Sequence, residues 1–174
     1  MSHKRNPRTP IRPRWALTLL AATSLIAAVA GCGDGDDAEP LTKAEVIDQG
    51  SAICEEGRQR VEELPQPSQH PFAKGASQAE RDDAREFLVG QADAFQSVSD
   101  GFQELTAPEE DRELIDAFIE DTGTLADELR TASTADPQEV EPLAEQAYAL
   151  FGEAGNKAAE YGFPGGSCGS GESG

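Results

Sequence analysis

Residues 77–105 read SQAERDDAREFLVGQADAFQSVSDGFQEL, and the spacing inside this stretch sets the architecture. Ser77 and Glu80 have the S-x-x-E form of a capping box, in which a hydroxyl oxygen and a carboxylate satisfy amides that a helix start leaves without partners. Beyond it, Ala84, Leu88, Gln91, Phe95, Val98, Phe102 and Leu105 advance by alternating steps of four and three. Such steps keep side chains on one face of a helix and produce the seam, of period roughly 3.5, along which helices pack. A strand would alternate in steps of two.

On the N-terminal side, Thr42 and Glu45 repeat the capping box. Val46, Gly50, Ile53, Gly57, Val61 and Leu64 then recur at helical spacing, with Ile47 and Cys54 beside them, until Pro65 stops the helix. On the C-terminal side, Thr106, Ala107, Pro108 and Glu109 open a third helix with proline in its tolerated first turn. Its stripe is Ile115, Phe118, Thr122, Leu125 and Leu129. Asp136, Pro137, Gln138 and Glu139 start a fourth, carrying Leu143, Ala147, Leu150, Phe151, Ala154, Ala158 and Tyr161, with Gly162 as a left-handed terminator. Pro142 lies too deep for that start, which predicts a kink or a later beginning. No segment alternates like a strand. The expectation is an all-α, antiparallel four-helix bundle over residues 41–169. The longest connection, 65–75 (PQPSQHPFAKG), reads as a solvated connector, with a functional loop as the alternative.

Charge divides the chain unevenly. Residues 1–32 hold five of the 14 basic side chains and no acid, leaving nine basic residues against all 33 acidic ones in the remainder. That surface repels phosphate backbones, so no nucleic-acid partner is expected. It also repels anionic headgroups, so membrane attachment needs something other than electrostatics. The N-terminal segment supplies that something. A basic stretch through Arg14 precedes WALTLLAATSLIAAVA, an uncharged run of 16 residues at 15–30, short of the roughly 20 of a comfortable membrane span. Basic, apolar, then small residues is the layout of a secretory signal.

Val29, Ala30, Gly31 and Cys32 resemble the bacterial lipobox. The resemblance implies cleavage before Cys32 by the signal peptidase that recognises Val29, Ala30 and Gly31. It also implies a thioether-linked diacylglycerol (palmitate being a common acyl chain) on Cys32, and a protein held at the outer face of the cytoplasmic membrane. Two or three acyl chains anchor stably where one is marginal. An ordinary signal peptide with an incidental cysteine is the alternative. The lipobox resemblance thus makes residues 1–31 the expected signal peptide, and 32–40 a lipidated cysteine with a flexible acidic linker. Asp34, Asp36 and Asp37 in that linker lack the later ligands of a calcium loop.

Of the three cysteines, lipidation accounts for Cys32. Cys54 and Cys168 remain, in a compartment that permits disulfides, either bridged or as two free thiols. A bridge would hold the glycine-rich segment 163–174 (FPGGSCGSGESG), which has little else to secure it; 170–174 is expected to be a flexible tail. Ala52, Ile53 and Cys54, with Tyr161 and Gly162 ahead of Cys168 and Gly169, resemble a group of small lipobox-containing lipoproteins from high-GC Gram-positive bacteria, mostly uncharacterised. That resemblance implies pairing of the helical cysteine with the C-terminal one, and brings no catalytic residue with it.

Chemistry finds little purchase. His3 falls in the leader, and His70 stands alone in the connector. The Glu-x-x-His pair of di-metal bundles is missing, no acid falls in the core stripes, and neither metal nor cofactor is expected. Gly165, Ser167 and Gly169 match a nucleophile elbow formally but lack its strand and helix, and no Cys-x-x-Cys is present. Phe87, Phe95, Phe102, Phe118, Tyr148 and Phe151 have the spacing of core and, as the alternative, of a ligand cavity. The sequence therefore predicts a non-enzymatic, lipid-anchored binding or accessory module for an envelope protein or cell-wall component. The alternative is a carrier of a lipid or other apolar small molecule inside the bundle.

Overall fold

The computed structural model describes residues 39–68, 70–164 and 168. The leader with Val29, Ala30 and Gly31, the expected lipidation site Cys32, Asp34, Asp36 and Asp37, Ser167 of the elbow-like run, and the 170–174 tail lie outside the described residues. Four helices follow in order: α1 Lys43–Glu62, α2 Gln78–Gln103, α3 Arg112–Thr134 and α4 Val140–Tyr161, with a 3-10 turn at Glu109–Asp111 before α3. No strand occurs among the described residues, so the all-α expectation holds.

Both capping boxes close. Thr42 Oγ1 accepts the Glu45 amide at 3.3 Å while the Glu45 carboxylate accepts the Thr42 amide at 2.8 Å. Ser77 and Glu80 do the same at 3.2 and 2.7 Å. These bonds, from the Thr42 hydroxyl and amide and from the Ser77 amide and hydroxyl, hold the Glu45 and Glu80 carboxyls below the usual carboxylate range.

The third helix departs from expectation. Thr106 is no cap; its carbonyl accepts the Leu41 amide at 2.8 Å, tying the segment before α1 to the α2–α3 junction. Pro108 is extended, and α3 proper starts only after the 3-10 turn. A residue preceding proline is disfavoured in helical conformation, which delays the start, and Glu109, Glu110 and Asp111 then sit where a helix favours negative charge. Pro142 likewise resolves as a later start. Residues 136–139 form a turn, with the Glu139 amide on the Asp136 carbonyl at 2.8 Å, so Pro142 falls in the first turn of α4, where its missing amide costs little.

The helices run up and down. Gly57 lies against Val98 and Gly50 against Phe102 between α1 and α2. Ser99 Oγ donates to the Ile119 carbonyl at 3.2 Å between α2 and α3. Lys157 pairs with Asp121 between α4 and α3. The core divides into two clusters. One takes side chains from all four helices and the C-terminal segment: Val46 and Cys54, Val98 and Phe102, Ile115 and Phe118, Ala158 and Tyr161, Phe163 and Cys168. The other, around Leu88, Ala92, Leu125, Leu129, Val140 and Ala147, has no member from α1. The bundle is four-helical at one end and three-helical at the other. The composition of α1 explains this, because its buried positions are Val46, Gly50, Cys54 and Gly57, while Glu55, Glu56, Arg58, Arg60 and Glu62 in its second half are engaged in ion pairs along its own surface.

Candidate functional site

Cys54 and Cys168 form a disulfide across 114 residues of chain. Its neighbourhood is built from the end of α4. Gly162 adopts φ +107°, and the Phe163 and Gly162 amides bond the Ala158 and Ala159 carbonyls at 3.0 and 3.1 Å, the paired closure of a left-handed helix end. That reversal turns Phe163 into the core, with its ring centroid 5.2 Å from Tyr161 and 5.6 Å from Phe102. The glycine-rich segment is therefore held by more than its cysteine, which corrects the sequence expectation. A single aromatic beside Gly162 was the signal, and it was masked by the surrounding glycines. Close packing reaches α1 as well. A Cβ on Gly50 would lie 2.6 Å from Phe163 and 2.7 Å from Phe102.

Tyr161 completes this end. Its hydroxyl donates to Asp111 Oδ2 at 3.2 Å, and Lys43 Nζ stands 4.5 Å above its ring and 3.8 Å from the same carboxylate. Burial first, then the negative charge of Asp111, pushes the phenol up to about 12.

The opposite end carries a different feature. Here α2 and α4 meet through side chains: Phe95 and Phe151 in a tilted pair with centroids 5.5 Å apart, and the Tyr148 hydroxyl donating to Gln91 Oε1 at 2.7 Å. Above them lies a groove of about 450 Å³, bounded on its third side by Pro67, Ser68 and residues 70–73 of the connector. Phe72 from the connector, Phe87 and Leu88 from α2, and Val140 and Ala144 from α4 give it apolar walls. Glu141, Glu145 and Tyr148 form a polar edge on α4, and His70 stands on the connector side. Tyr148 is 42% exposed, yet the part of it packed against the bundle is desolvated enough to raise its phenol above the usual value. Of the six aromatics named from the sequence, Phe102 and Phe118 are core, Phe95 and Phe151 are half-buried, and Phe87 and Tyr148 line the groove. Residues 70–76 make a pair of turns, the Ala73 amide on the His70 carbonyl at 3.2 Å and the Ala76 amide on the Ala73 carbonyl at 3.0 Å, and Phe72 anchors them on the three-helix core.

A second hollow, of about 570 Å³, lies along the α2–α3 junction, where Arg112, Asp116 and Glu120 bring both signs of charge to its edge. Among the described residues no group of three or more His, Cys, Asp or Glu side chains is placed to hold a metal ion, and no helix is long and apolar enough to cross a membrane. Comparison of the chain with known protein families, with curated proteins and with solved structures finds no match.

Proposed function

We propose that this chain is an exported lipoprotein, anchored through lipid on Cys32 to the outer face of the cytoplasmic membrane, where it serves as a non-enzymatic binding or accessory module for an envelope protein or cell-wall component. It would then be one of the small lipobox lipoproteins of high-GC Gram-positive bacteria that its cysteine layout resembles. The observation carrying this reading is the Cys54–Cys168 bridge. Disulfides persist in oxidising compartments, and with three cysteines in the chain the bridge leaves Cys32 as the one sulfur at the lipobox position. The signal peptide spans 1–31 in this reading, and the acidic linker lets the bundle stand clear of the bilayer. Fractionation of host cells carrying the wild-type chain and Cys32→Ser tests it. The wild type is expected in the membrane fraction and the variant to leave it; equal partition of the two contradicts anchoring.

A second reading, a carrier of an apolar small molecule, is favoured by the α2–α4 groove, whose volume of about 450 Å³ falls within the range of small-molecule sites. Native mass spectrometry of protein taken gently from its host checks it, a co-purified ligand being the expected outcome and a bare chain the contrary one.

A further inference from the structure

We propose that the groove between α2 and α4 is a binding site for cationic amphiphiles: molecules with an apolar body and one ammonium group. The inference deepens the carrier reading and rests on it. The apolar body follows from the walls, since Phe87, Leu88, Val140 and Ala144 offer no hydrogen bond and would be covered from water by hydrocarbon or a ring. The charge follows from the α4 edge. Glu141 and Glu145 stand one helical turn apart on the same face, both exposed at the groove. Among the described residues neither is in an ion pair, whereas the glutamates of the capping boxes and of α1 are already engaged.

The next turn of the same edge is Tyr148. Its hydroxyl proton is committed to Gln91, so the oxygen faces any further partner as an acceptor, and its aromatic ring, part of the groove lining, is of the kind that attracts ammonium groups. Among the described residues no lysine or arginine lines the groove. An anionic amphiphile would be repelled by the two carboxylates, and a neutral one would gain nothing from them. The cation alone matches body and edge together.

The test uses three probes of equal chain length, octyltrimethylammonium, octyl glucoside and octyl sulfate, titrated calorimetrically below their micelle-forming concentrations into the chain. The cation is expected to bind one to one, at least about tenfold more tightly than the other two. Glu141→Gln with Glu145→Gln should remove that preference, while Glu153→Gln with Glu160→Gln, the same change of charge elsewhere on α4, should leave it within about twofold. Ala144→Phe should fill the groove and lower the affinity for the cation at least about tenfold. Equal binding of the neutral and cationic probes overturns the charge selection while leaving the carrier reading intact. Equal losses in the two glutamine pairs overturn it in favour of general attraction to an acidic surface. Failure of every probe to bind overturns both the site and the carrier reading. If Ala144→Phe does not fold, the exposed glutamine pairs still decide the matter.

Discussion

The two ends of this bundle are made from the same helices and hold together differently. At the bridged end α1, Phe163 and Tyr161 close over Phe102 and Phe118, and a disulfide ties the last described residue to the first helix. At the connector end α1 has left the core, Phe72 is the only aromatic the connector contributes to it, and a groove stays between α2 and α4. The contrast teaches that closure here is local. A four-helix count does not make a four-helix core, and the groove lies at the end from which α1 withdraws.

The first way to dissolve the contrast is to cut the bridge. Closing a loop of 114 residues is worth roughly 4–5 kcal/mol in the chain-entropy picture, an upper figure because part of such effects is enthalpic. Cys168→Ser should lower the urea midpoint accordingly, and Cys54→Ser with Cys168→Ser should match the single change. Gly50→Ala comes next. Its new methyl group would collide with Phe163 and Phe102, and overpacking on the order of 2 kcal/mol should outweigh the better helix propensity of alanine. Gly152→Ala, with nothing within 4 Å of the added atom, should instead gain up to about 1 kcal/mol. Opposite signs for two glycine substitutions, read by denaturation, would locate the tight packing at the bridged end.

The Tyr161 cluster gives that end a pH dependence. The fold raises the phenol from 10 to about 12, so it favours the neutral form. The resulting stability is whole below pH 10 and is lost as pH climbs toward 12, on the order of 2 kcal/mol. Wild-type midpoints should fall more steeply than those of Tyr161→Phe across that window. The smallest loss belongs to the other end. Phe72→Ala removes a half-buried ring and should cost about 1 kcal/mol, leaving the bridge and the alkaline transition of Tyr161 unchanged.

What could be read from the residues was whatever depends on near neighbours. The capping boxes at Thr42 and Ser77, the seam from Ala84 to Leu105, the left-handed Gly162 and the delay forced by Pro142 are all consequences of residues within a turn or two. What could not be read depends on how far apart two helices stand. The withdrawal of α1 from the second cluster, the groove edged by Glu141, Glu145 and Tyr148, and the burial of Phe163 each need partners tens of residues away. The 3-10 start before α3 fell between these cases, since Pro108 signalled a helix opening without fixing its type.

The most direct measurement is the intact mass of the protein purified from its host without reductant. The expected species begins at Cys32, carries diacylglycerol there, and lacks the two hydrogens lost in joining Cys54 to Cys168. A species that retains residues 1–31, or begins at an unmodified Cys32, would contradict the assignment of one sulfur to lipid and two to the bridge.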